Sequence, residues 1–134
     1  MNNFSHQALE LKEEWPLVYT AMSKHLFYYR MFISKYVLEQ SAVPLNPFMV
    51  FDYFMLDVVD RDLVRQGNNS MVRRSDEIWV FGPVSNGVLA EVQIAKEQGK
   101  PVKYFKTDKP HTIISIDKLE VEMEDEVKEF RESL

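Results

Sequence analysis

No cysteine occurs anywhere in the 134 residues, which excludes disulfides, thiolate metal sites and cysteine nucleophiles. An excess of positive charge is missing as well. Sixteen Lys and Arg against 21 Asp and Glu leave a formal net charge of −5, a poor basis for displacing counterions from phosphates, so nucleic acid is not an expected partner. Long apolar runs are also absent. The most apolar region, Phe48 to Val59, is interrupted by Asp52 and Asp57 and is too short to span a bilayer, so no membrane association is expected. Met1 to Trp15 carries Glu10, Lys12, Glu13 and Glu14 without the apolar stretch of a signal peptide, which makes the cytoplasm the expected location. No internal repeat or low-complexity tract is visible. The three histidines, His6, His25 and His111, are too scattered to suggest a zinc site, and neither metal nor cofactor is expected.

What the chain does have is apolar material: 46% hydrophobic and 13% aromatic residues, enough to offset the entropy of ordering one core. One domain over residues 1–134 is expected, with 1–14 as a flexible or helical lead-in. Pro16 to Ala21 is a short apolar run suited to a buried first strand, and the apolar spacing from Lys24 to Gln40 predicts a helix. Ala42-Val43-Pro44-Leu45 is a second strand, kept at an edge because proline donates no ladder hydrogen bond. Residues 46–75 are expected to form helices broken near Gly67.

Glu77-Ile78-Trp79-Val80-Phe81 packs four bulky apolar residues in succession and is expected at the centre of the sheet. Asn86 to Gln98 follows as a helix with Val88, Val92 and Ala95 in one stripe, stopped by Gly99-Lys100-Pro101. Val102 to Phe105 and Thr112 to Ile116 give two further strands, and Glu122 to Leu134 an amphipathic helix. Strands alternating with helices predict a flavodoxin-like three-layer α/β fold with a five-stranded parallel sheet.

In such sheets ligands bind beyond the carboxyl ends of the strands, which directs attention to Gly82 to Glu91. Gly82 and Gly87 permit close backbone approach, and Ser85 and Asn86 are both suitable N-caps. Amides at that turn favour an anion such as phosphate. Glu91 lies about one turn into the helix beside Val88 and Ala95, on the side nearest the sheet. Two readings stand at that point: a carboxylate reaching past the edge of the apolar stripe to solvent, or a site residue.

The stretch from Asp76 to Glu91, followed by Ala95 and Gly99-Lys100-Pro101-Val102, resembles the nucleoside 2-deoxyribosyltransferase superfamily and its nucleotide N-glycosidase relatives. The match is firmest from Asp76 to Phe105. The resemblance implies Glu91 as a nucleophile toward the anomeric carbon, with retention of configuration. It further implies Ser85 and Gly87, with Asn86 between them, at a 5′-phosphate, and Tyr19 lining the base or sugar pocket. Ser115 is the nearest match to a polar group supplied by a neighbouring subunit, and a homo-oligomer, at least a dimer, is implied. The aromatic patch from Phe48 to Phe54 could stack on a base, but core or interface packing is the preferred reading for so many bulky residues.

Two places depart from the family pattern. Asn68 stands where active members carry a catalytic Asp, and an amide can hydrogen-bond but cannot supply a proton to a departing base. Met22-Ser23-Lys24-His25 replaces a glycine-containing turn; Lys24 or Arg30 there could pair with phosphate or be ordinary surface cations. Asp60 and Asp62 fit a solvated helix start better than a substitute acid. The chain is therefore expected to be an N-glycosidase acting on a nucleoside or nucleoside 5′-monophosphate, or a catalytically weakened nucleotide-binding module, or a structural oligomer with a vestigial pocket.

Overall fold

The computed structural model describes residues 3–52, 54–109 and 112–134. Five strands form one sheet: β1 (Leu17–Met22), β2 (Val43–Leu45), β3 (Glu77–Gly82), β4 (Val102–Thr107) and β5 (Ile113–Ile116). Their order across the sheet is β2-β1-β3-β4-β5, so Pro44 lies in an edge strand and β3 is central, as its unbroken apolar run requires. Helices α1 (Arg30–Glu39), α2 (Pro47–Val50), α3 (Arg61–Arg74) and α4 (Asn86–Glu97) complete an α/β architecture with helices flanking the sheet.

Strict alternation along the strands builds two cores. Tyr19, Ala21, Ile78, Val80 and Tyr104 join Val72, Val88, Val92 and Ala95 in one cluster, which also takes in Val121 and Met123. Val18, Met22, Trp79, Phe81 and Phe105 join Leu26, Ile33 and Val37 in the other. Each fully buried aliphatic or aromatic side chain contributes on the order of 1.5–3 kcal/mol, so the two clusters hold the helical layers in place. Tyr36, Trp79, Phe81 and Phe105 extend the second core as a run of ring contacts, with Phe81 stacked on Phe105 at 5.1 Å.

The expected all-parallel sheet is corrected by its last strand. β1, β2, β3 and β4 pair in parallel, but β5 runs antiparallel to β4, with Phe105 opposite Ser115. A parallel neighbour needs a crossover of a dozen or more residues. Only residues 108–112 separate the two strands, which suffices for a hairpin and nothing more.

Three helical expectations also change. Residues Lys24–Tyr29 are a 3₁₀ helix that leads into α1, because Leu26 N–H bonds back to Ser23 O at 2.9 Å, the i to i+3 spacing. No break occurs at Gly67, which lies inside α3; a Cβ there would stand 2.6 Å from Phe51 Cζ, so the glycine admits an aromatic ring against the helix. Beyond β5, residues 121–124 are not helical. Val121 and Met123 are buried while Glu122 faces out, and Val84 pairs with Met123 as a parallel bridge. Helical structure resumes as the 3₁₀ segment Asp125–Ser133, interrupted at Phe130.

Among the described residues no helix is long and apolar enough to cross a membrane.

Candidate functional site

The carboxyl ends of β1, β2 and β3 open onto a cleft of about 390 Å³. Its position follows from topology. The chain leaves β1 toward β2 on one side and leaves β3 toward β4 on the other, so the loops diverge between β1 and β3 and leave a crevice above their ends. Met22 and Lys24 follow β1; Phe48 and Phe51 come from α2 and its end; Asn68 comes from α3; and Ser85, Asn86, Gly87, Val88 and Glu91 come from the start of α4.

Each wall is fixed by local chemistry. Asn46 caps α2, accepting from Phe48 N–H at 3.0 Å while its amide donates to Arg30 O and Ser34 Oγ. That bonding ties the aromatic wall to α1. Ser85 caps α4: its hydroxyl oxygen accepts from Val88 N–H at 3.3 Å, as an N-cap serine should. The stripe of Val88, Val92 and Ala95 then rotates Glu91 toward the sheet.

Glu91 is half-buried, and its carboxylate accepts a hydrogen bond from the Tyr19 hydroxyl. Tyr19 itself is fully buried in the core cluster beneath α4, so the pair joins the centre of the fold to the floor of the cleft. Burial pushes the Glu91 pKa from its ordinary 4.5 to about 7, while the bond from Tyr19 pulls the other way. The Tyr19 hydroxyl is held well above its usual 10.0, first by burial and then by the neighbouring carboxylate. Glu91 therefore changes charge near neutrality, unlike an ordinary surface glutamate.

Of the residues singled out from sequence, Glu91, Asn68, Ser85, Asn86 and Gly87 meet in this one cleft, and Tyr19 joins them through Glu91. Ser115 does not; it is exposed on β5. Lys24 lines the cleft, whereas Arg30 is committed elsewhere: its guanidinium lies 3.9 Å above the Phe27 ring and donates to Phe27 O. Asp60 is the N-cap of α3 and Asp62 pairs with Arg65, which bears out the helix-start reading of both. Phe48 and Phe51 line the cleft, with Phe48 also edge-on to Phe27; Tyr53 of the same patch lies outside the described residues, as does His111. No three His, Asp or Glu side chains converge as a metal site would require, among the described residues.

Five charged cleft residues escaped the sequence reading, Asp52 beside Phe51 among them. Arg61 and Arg65 face it from α3, and Glu124 and Glu126 from the C-terminal segment. The carboxylate of Glu126 lies 3.5 Å from the Asn86 amide N, at the head of α4. The arginines carried a signal in retrospect: positions 61, 65 and 68 share one helix face, so a functional Asn68 draws them in. For the two glutamates no local pattern exists, because their segment is brought to the cleft by pairing with Val84.

An α/β protein with a carboxylate-bearing cleft at the carboxyl edge of its sheet is the class this geometry defines. Within it, the chain belongs to the family described as a domain of unknown function (DUF7768), which matches residues 19–105. That stretch begins at Tyr19 and encloses Asn68, Ser85, Asn86, Gly87 and Glu91, and it ends before Glu124. No curated protein and no solved structure matches the chain.

Proposed function

We propose that the chain is a nucleoside deoxyribosyltransferase-like N-glycosidase, which binds a nucleoside or nucleoside 5′-monophosphate in this cleft and cleaves its glycosidic bond through Glu91. The single observation that carries the reading is the Glu91 carboxylate, positioned in a ligand-sized cleft by a buried tyrosine hydroxyl. The strand order β2-β1-β3-β4-β5 supports the flavodoxin-like assignment, antiparallel edge strand notwithstanding. Phe48 and Phe51 offer apolar faces for a base, and Asn68 lines the same cleft as a hydrogen-bonding group.

In this mechanism an ionised Glu91 oxygen attacks the anomeric carbon, the bond to the base nitrogen breaks, and its electron pair leaves with the base, which takes a proton from water. Water then attacks the glycosyl ester and releases Glu91, giving net retention. Tyr19 steadies the carboxylate before attack and after release. Because Glu126 already lies beside the Asn86 amide, a phosphate at that turn would meet a carboxylate; a neutral nucleoside suits the turn better than a nucleotide.

One observation favours a second reading, binding without cleavage: Asn68 cannot donate a proton to the departing base as an acid would. Incubation with nucleosides and nucleoside monophosphates, followed by chromatography of free base, separates the two. Base release that disappears in Glu91→Ala is expected. Saturable binding with no release establishes the binding-only reading, and release undiminished in Glu91→Ala refutes the mechanism.

A further inference from the structure

Two oxygens in the cleft wall have no hydrogen-bond donor. Asn68 Oδ1 and Glu124 Oε2 are both buried, and no described group of the protein donates to either. Both residues line the same cleft as Glu91, yet they come from distant parts of the chain, Asn68 from the middle of α3 and Glu124 from the strand-like segment after β5.

The position of Glu124 is set by backbone. Val84 N–H donates to Glu122 O at 2.8 Å, and Glu124 N–H donates to Val84 O at 2.9 Å, which ties the residue to the end of β3 just ahead of the Ser85 cap. Gly82 admits this segment: a Cβ there would stand 2.6 Å from Val121 Cγ2. Behind the contact, Arg131 donates to the carbonyls of Lys118, Leu119 and Val121, holding the chain that leads into it. Glu124 is thus presented to the cleft by a pinned segment.

A buried acceptor left without a donor is costly, and a carboxylate or amide oxygen can only accept. A partner that removes the cost must bring N–H or O–H groups, and one that presents carbonyl oxygens at the same place is repelled. Lys24, Arg61 and Arg65 line the cleft without donating to either oxygen. The geometry points to a double-acceptor clamp, Asn68 Oδ1 and Glu124 Oε2, that selects cleft ligands by the hydrogen-bond donors they carry. Glu124 is thereby a specificity-determining residue, although it lies beyond the stretch that defines the family. The inference rests on the nucleoside reading of the cleft, where such donors come from the 2′ and 3′ hydroxyls of the sugar or from an exocyclic amine of the base.

Calorimetry on the intact chain distinguishes the sources. Adenosine is compared with inosine, which exchanges the amine for a carbonyl oxygen, and with 2′,3′-dideoxyadenosine, which loses the 2′ and 3′ hydroxyls. Loss of the donors that the clamp reads is expected to weaken Kd by roughly 10- to 100-fold. The comparison that shows this penalty identifies the source. Glu124→Ala and Asn68→Ala are each expected to shrink that penalty, whereas Asn68→Asp, which keeps an acceptor, retains it. Should the alanine variants melt early, Glu124→Met, which keeps the length but carries no oxygen, must still narrow the gap.

Saturable adenosine binding with all three ligands equal within about twofold overturns the clamp and leaves the nucleoside reading standing. A penalty unchanged in Glu124→Met and Glu124→Ala removes Glu124 from the clamp and refutes the proposal. Failure of every nucleoside to bind refutes the nucleoside reading and the clamp with it.

Discussion

Replacing Glu91 by Gln should stabilise the protein at alkaline pH, and by an amount that depends on pH in a defined way. In the unfolded chain this carboxyl ionises near 4.5, and in the folded protein near 7, with burial as the main cause. Between those values the folded state holds a proton that the unfolded state has released. The contribution of Glu91 to stability is therefore highest below about pH 4.5, falls as the pH rises through this window, and levels off above about 7. At about 1.4 kcal/mol per pH unit, the loss attributable to Glu91 is about 3 kcal/mol. Gln carries no charge at any pH and can still accept from the Tyr19 hydroxyl, so it escapes this loss.

The measurement is thermal unfolding followed by circular dichroism for both proteins from pH 4.5 to 8. Subtracting one curve from the other cancels every other titrating group. For a domain of this size the variant's advantage should widen by about 10 °C from the acid to the alkaline end. A gap that stays constant with pH refutes the claim that a buried Glu91 changes charge near neutrality. It would also weaken the case for Glu91 as a site residue, since a freely solvated carboxylate would show no such behaviour.

Three further outcomes test the geometry around the cleft. Tyr19→Phe removes the bond that lowers the Glu91 pKa, so the midpoint read by carboxyl NMR should climb by about one further pH unit or more; an unchanged midpoint would contradict the pairing. Ser85→Ala deletes the cap of α4 and should cost about 1 kcal/mol in urea unfolding, whereas Ser85→Asp should preserve most of it; equal losses in both would refute the capping role. Gly82→Ala crowds Val121 and should destabilise by about 1–3 kcal/mol while weakening ligand binding through displacement of Glu124; a stability close to that of the parent protein would show that the C-terminal segment yields easily.

Much of the architecture was legible because burial on both faces leaves an unmistakable trace in sequence. Ile78-Trp79-Val80-Phe81 reads as a central strand and Pro44 as an edge residue, and the structure agrees. The α4 stripe and its Gly99 stop, where φ is +69°, were equally visible. Direction of the last strand was also within reach, since the length of residues 108–112 decides it, but alternation of strands and helices drew attention elsewhere. At Gly67 the misreading had a different origin. Glycine is a poor helix former in isolation, and its use as a seat for the Phe51 ring depends on a contact 16 positions away.

The candidate site divides along the same line. Residues 82–91 announced themselves because a strand, a turn rich in small residues and a helix start are consecutive in the chain, and each obeys short-range rules of capping and φ/ψ preference. That determined where a ligand cleft should open and which carboxylate should stand in it. Pairing of Tyr19 with Glu91, 72 positions apart, depends on how α4 rotates over β1, and arrival of Glu124 and Glu126 depends on a strand-like segment docking beside Val84. Those are packing outcomes between distant stretches, decided by burial of Val121 and Met123 against the core. Local propensity carries no record of them, because the same residues in isolation satisfy a helical pattern just as well.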